Sequence, residues 1–248
     1  ISLDPQFVGV VTGDGEYHYL LRASSPCINS GNPESTDEDG TIGDMGYSPY
    51  TNGGYSGPDW YVSIISGSDL PTHFYPHGTG SSESPFASIT AALSFSSDED
   101  IIHVSSGTYV EQLVIPRDIS LIGAGSESTI ISGGSPSEAQ GSLISFANNP
   151  SELNGDILIQ GFTLRDNWAW SGAGIQVSGL VSDLILEDLL ITNNIVNNDG
   201  GGIQIYFTDS VTMTNITLLD NIAGRAGGGI SLNNAGLTMT DCTIEGNE

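Results

Sequence analysis

From Asp156 onward, apolar and polar residues alternate in blocks that return at an almost constant interval. Aligned on four asparagines, the blocks read Asp156-ILIQGFTLRDN, Asp183-LILEDLLITNN, Ser210-VTMTNITLLDN and Gly236-LTMTDCTIEGN. The asparagines are Asn167, Asn194, Asn221 and Asn247, spaced 27, 27 and 26 residues apart. A period in the twenties is short for paired helices, and two-residue alternation of Ile, Leu, Val and Thr predicts strands. Ile157, Leu184, Val211 and Leu237 form one apolar column, and Ile159, Leu186, Met213 and Met239 a second. Between them Leu158, Ile185, Thr212 and Thr238 turn polar in the later blocks. Successive side chains point to opposite faces of a strand, so the first two columns face a core. After a bend at Gly161, Asp188, Asn215 and Asp241, two more apolar columns follow, Phe162/Leu189/Ile216/Cys242 and Leu164/Ile191/Leu218/Ile244. A second strand is predicted there. The fold class that fits is all-β, a right-handed parallel β-helix or solenoid.

Coils stacked at about 4.8 Å place equivalent residues directly above one another, so like residues form ladders. A ladder of Asn167, Asn194, Asn221 and Asn247 lets each side-chain amide donate to the next and satisfies polar groups that a tight bend would bury unpaired. That column is therefore structural. The column before it runs Asp166, Asn193, Asp220, Gly246, and the bend runs Gly161, Asp188, Asn215, Asp241, with no two acids adjacent. Two rungs put carboxylates about 9.6 Å apart, near a Debye length in physiological salt, which relieves repulsion. The runs Gly172-Ala-Gly174, Gly200 to Gly202 and Gly227 to Gly229 predict a corner that needs positive φ or close backbone approach.

Charge narrows the partners. Thirty acidic residues face only Arg22, Arg117, Arg165 and Arg225, for a net charge of −26. Such a surface repels nucleic acid and anionic polymers and attracts divalent cations. No run of apolar residues is long enough to span a membrane. The 33 glycines fit a solenoid better than a compact globule. Of the two cysteines, Cys242 occupies an inward column and reads as a small buried hydrophobe, not as half of a bridge to Cys27. The chain begins mid-motif at Ile1 and stops mid-coil at Glu248, so a segment of a longer protein is expected.

Two stretches resemble known families. The run DPQFV, GEYHYLL, SPCINSGNP and DEDGTIGDMG, from Asp4 to Tyr47, resembles the closing segment of many secreted β-helix proteins. It implies that residues 1–50 close a preceding β-helix domain, with a Gly- and Pro-rich linker at 51–58. The runs Trp60-YVSIISGSD, SPFASITAALSF and GTY-x-E resemble the start of the pectate-lyase-like right-handed parallel β-helix superfamily. The GGGI coils resemble the polymorphic outer-membrane-type repeats of secreted bacterial surface proteins. Residues 59–248 are accordingly expected to hold the N-terminal cap and first coils of a second β-helix domain. The cap is a short α-helix with Ser84 as N-cap, Pro85 at its first position and Phe86, Ile89 and Leu93 on one face.

Candidate chemistry is sparse. Asn32, Asp37, Asp39 and Asp44 alternate around glycines as oxygen donors do in a calcium loop, although the spacing departs from the EF-hand pattern, no helix pair flanks it, and a solvated acidic loop is the plainer reading. Asp166 and Asp220, two rungs apart, sit at the upper edge of the separation of an inverting glycosidase pair, a spacing any two-rung pair shares. The superfamily resemblance implies, for a polysaccharide lyase, a Lys or Arg base with calcium or basic groups on a uronate. The coils offer only Arg165 and Arg225, each expected to pair with acids such as Asp166 or Asp220. Trp168 and Trp170 would form a sugar-stacking platform if they face outward, and corner packing is the alternative expected of them. His73 and His77 have a zinc-like gap without further ligands, and Asn215-Ile-Thr217 is a glycosylation sequon.

These features predict a structural or adhesive module of a secreted or cell-surface multidomain protein, with calcium as its one candidate cofactor. Its partners would be other domains of the same chain, surface glycans or like subunits. The competing expectation is a carbohydrate-active hydrolase or lyase, or a glycan-binding β-helix.

Overall fold

A computed structural model describes residues 7–11, 17–21, 25–28, 30–36, 42–45, 57–69, 78–134, 139–146, 155–179, 183–208 and 210–248. Near the start, β1 (Phe7–Val11) and β2 (Tyr17–Leu21) form an antiparallel hairpin. The body opens with β3 (Asp59–Val62) and α1 (Ile89–Phe95). The strands β4 (Ile101–Val104), β5 (Gly107–Tyr109), β6 (Leu113–Ile115), β7 (Ser120–Gly123), β8 (Thr129–Ser132) and β9 (Ile144–Phe146) follow. The regular coils begin with β10 (Ile157–Arg165), β11 (Trp168–Ala169) and β12 (Ile175–Ser178). They repeat as β13 (Leu184–Thr192), β14 (Ile195–Val196), β15 (Ile203–Tyr206) and as β16 (Val211–Leu219), β17 (Ile222–Ala223), β18 (Ile230–Asn233). The last coil contributes β19 (Leu237–Thr240) and β20 (Thr243–Glu245).

Among the described residues all pairings of this body are parallel, and three sheets run along it, ordered β3-β4-β7-β10-β13-β16-β19, β11-β14-β17 and β6-β9-β12-β15-β18. The register is the one the repeat predicts, with Ile157 opposite Leu184, Leu184 opposite Val211 and Val211 opposite Leu237. The inward columns are closed to solvent at Ile159, Leu186 and Met213 and open at Met239 in the last coil. Burying one such side chain contributes about 2 kcal/mol. Cys27 and Cys242 are both free thiols, and Cys242, half-buried, packs against the core.

The asparagine ladder spans three coils at a time. Asn194 Nδ2 donates back to Leu164 O at 3.0 Å and forward to Asn221 Oδ1 at 3.1 Å, an oxygen that also accepts the Asn194 backbone N–H at 3.1 Å. Asn221 repeats this pattern with Ile191 O and Asn247 Oδ1. At the lower end Asn167 Oδ1 has no partner among the described residues, because the coil beneath places Gly133 against it.

Both acid-bearing columns lie in left-handed backbone. Asp166, Asn193, Asp220 and Gly246 have φ of 55°, 55°, 53° and 66°, and Gly161, Asp188, Asn215 and Asp241 have 79°, 49°, 55° and 53°. Asp, Asn and Gly are the residues that tolerate this conformation, so the corner selects them before charge does. Alternation then adds a bond, since Asn215 Nδ2 donates to Asp188 Oδ1 at 3.1 Å. At the glycine corner the two expected reasons divide between positions. Gly200 has φ 72°, whereas a Cβ on Gly202 would lie 2.6 Å from Gly229 O.

The cap helix begins later than the sequence predicts. Its N-cap is Ser88, whose Oγ accepts from Ala91 N, while Phe86 is extended and bridges to Val62. Ser84 and Pro85 therefore precede the helix. The start is set from a distance, because the Glu111 carboxylate accepts the N–H groups of Ile89 and Thr90 at 3.0 and 2.9 Å. Asp69 Oδ1 accepts those of Ala87 and Ser88. Ile89, Ala92 and Leu93 then cover the first coil, with Trp60, Phe86 and Phe95 in ring contact beneath. Buried Asp100 joins cap and coil, accepting from Trp60 Nε1 at 2.6 Å and Ser97 N at 2.7 Å.

Two outcomes follow for stability. Asn194→Ala leaves Leu164 O and the Asn167 N–H without their partner and is expected to cost about 3 kcal/mol in urea denaturation, well above Asn247→Ala at the half-exposed end. Burial raises the Asp100 pKa, partly opposed by its hydrogen bonds from Ser97 and Trp60. A raised acid binds more protons folded than unfolded, so its contribution is fullest at low pH and declines as pH climbs through the raised value. Melting curves from pH 3.5 to 7 should show a smaller decline in Asp100→Asn than in the parent chain.

Candidate functional site

The corner after β10 and its two successors gathers most of the candidate residues on one outward face. Parallel pairing stacks Trp168 on Ile195 and Ile195 on Ile222, the latter two 44% and 41% exposed on a strand whose alternate residue, Val196, is buried. An apolar stripe three rungs tall results. On one side of it lies the left-handed column of Asp166, Asn193 and Asp220. On the other lies Trp170, 64% exposed, then Asn197 and Gly224 in the coils above. Side-chain size falls along that column, so Trp170 stands as a wall beside a floor.

The two tryptophans differ from the packed pair expected of a corner. Trp170 projects into solvent, and Trp168 is half-buried with its Nε1 donating to Asn197 Oδ1 at 3.3 Å. Exposure alternates through this short sheet, with Ala169 and Val196 buried between outward neighbours, but strands of two residues are too short for that alternation to be read from the sequence.

Each coil arginine is tied to a carboxylate. Arg165 Nε lies 3.3 Å from Asp166 Oδ2, the pairing expected, as a charge contact without hydrogen-bond geometry. Arg225 pairs not with Asp220 but with Asp199, through both Nε, at 2.9 Å, and Nη2. The Asp199 side chain is only 6% exposed, against 71% for Arg225. The pair raises the Arg225 pKa, first through the hydrogen bond and then through the charge of Asp199. Sequence reading passed over Asp199, although a signal was present. Asp199 lies 26 residues before Arg225, one short of the repeat, and its backbone bridges to Ala226 in the next coil. The period therefore sets Arg225 one position before the residue stacked on Asp199.

The other candidates lie elsewhere. Asn32 Oδ1 accepts its own Glu34 N–H at 3.0 Å, and the Gly31 to Gly43 hydrogen bond brings Asn32 and Asp44 onto neighbouring segments. Asp37, Asp39, His73 and His77 lie outside the described residues. Among the described residues no three His, Cys, Asp or Glu side chains group as metal ligands. No described helix is long and apolar enough to cross a membrane.

A coil stack with three parallel sheets and a helical cap defines a parallel β-helix. The chain belongs to the right-handed β-helix family, whose model, described as "Right handed beta helix region", matches residues 124–248. No curated protein matches the sequence. A solved structure described as "Rhamnogalacturonan lyase" aligns at 12% identity with a TM-score of 0.30, over 75% of this chain and 56% of that one. This chain thus spans little more than half the length of that protein.

Arg225 and Asp199 yield an asymmetric expectation. Arg225→Met strands a buried carboxylate and should lower the melting temperature more than Asp199→Asn, which frees an already solvated guanidinium. The double variant should recover most of the loss, read by differential scanning calorimetry.

Proposed function

We propose that this chain is a structural and adhesive module of an extracellular, cell-surface protein, a stiff coil stack that joins other domains of a longer chain and carries the corner face outward. One observation above all supports this reading. The repeated polar columns are consumed by the architecture itself, the asparagines in amide ladders and the acids in left-handed corners. Both coil arginines are likewise engaged with carboxylates, which leaves neither as the free base a lyase would need. Asp166, the first member of the candidate glycosidase pair, lies within ion-pair distance of Arg165. The acidic charge suits an extracellular setting, and right-handed β-helices are typical of extracellular proteins. Calcium is the cation the Asn32 to Asp44 loop would take, through hard oxygen donors.

The reading is tested by incubating the 248-residue chain with neutral and uronate polysaccharides and measuring reducing ends and unsaturated products. No turnover is expected. Saturable turnover lost in Asp220→Asn would replace the module with an enzyme. The calcium part is separate: millimolar calcium should raise the melting temperature and EDTA reverse it, and a temperature unmoved by both removes the cation from the reading.

A further inference from the structure

The geometry points to the corner face as a binding site for a neutral glycan chain lying along the coil axis, an inference that rests on the adhesive reading above. Trp170 offers an exposed ring face, and the stripe of Trp168, Ile195 and Ile222 offers a continuous apolar track beside it. A pyranose ring has one apolar face and a polar rim, so it stacks on an aromatic surface and needs hydrogen-bonding groups at the edges. Those groups flank the track. Asn197, exposed and already oriented by the Trp168 indole, stands on one side and the Asp166 to Asp220 column on the other.

The occupant is narrowed by repeat, by edge and by charge. Rungs recur about every 4.8 Å, close to the length of one sugar residue, so successive sugars meet successive rungs in the same register. A peptide cannot add here as an extra strand, because β14 is hydrogen-bonded on both sides, to β11 and β17. Uronates and sulfated sugars are opposed by the flanking acids and by the net charge of −26, and the two arginines within reach are already neutralised. What remains is an uncharged polysaccharide.

The test is isothermal titration of the 248-residue chain with cellohexaose, xylohexaose, mannohexaose and laminarihexaose, with oligogalacturonate as the charged comparison. At least one neutral hexasaccharide should bind saturably. Trp170→Ala should weaken it about tenfold or more, Asn197→Ala less, and Val114→Ala, exposed on another sheet, not at all. Because Trp170 is exposed, its variant should keep the parent melting temperature, which separates lost binding from lost folding. The inference is overturned if none of the four neutral sugars binds, if Trp170→Ala binds as well as the parent, or if oligogalacturonate is preferred. It is also overturned if sedimentation shows self-association that Trp170→Ala abolishes, since the face is then a contact between copies. None of these results touches the module reading, which fails on turnover instead.

Discussion

A primary amide shut inside a corner must find every hydrogen bond within the protein, and Asn194 finds its own in the coils above and below. That requirement is what locks one coil over the next. Apolar columns alone would tolerate a slip by two residues, since a strand presents the same face again after two positions. The amide does not tolerate it, because a slip would leave Leu164 O, Asn221 Oδ1 and the Asn194 N–H without partners in a place water does not reach. The hydrophobic core supplies the driving force for stacking, and the ladder supplies the register.

Function on such a scaffold comes from positions the ladder leaves over. Inward residues are spoken for by packing and corner residues by backbone conformation. Outward side chains are free to differ between coils, and on the short sheet of β11, β14 and β17 the sequence does differ: Trp168 gives way to Ile195 and Ile222, and Trp170 to Asn197 and Gly224.

Most of the architecture was legible because a strand repeated above itself leaves its period in the chain, so the columns from Ile157 to Leu237 and the asparagine ladder could be placed without coordinates. Three features were not, each for a physical reason. The helix start depends on Glu111, which follows it by some twenty residues, so local capping preferences pointed to Ser84 in place of Ser88. The partner of Arg225 depends on which way its side chain turns, since Asp220 precedes it on its own coil whereas Asp199 lies on the neighbouring coil, stacked against Ala226. The exposure of Trp170 depends on alternation continuing past the end of a strand only two residues long, which the sequence of Trp168, Ala169 and Trp170 does not establish by itself. In the corners the acids were read as spaced for charge, and the left-handed backbone supplies the prior reason.

Because Asn194 and Asn221 make the same bonds one storey apart, the stack has translational symmetry, and a block of 27 residues copied into it would meet neighbours it already fits. Length in this molecule is therefore a countable quantity, lengthened or shortened by whole storeys with the amide ladder kept, so reach can be changed while the outward face on each storey varies on its own.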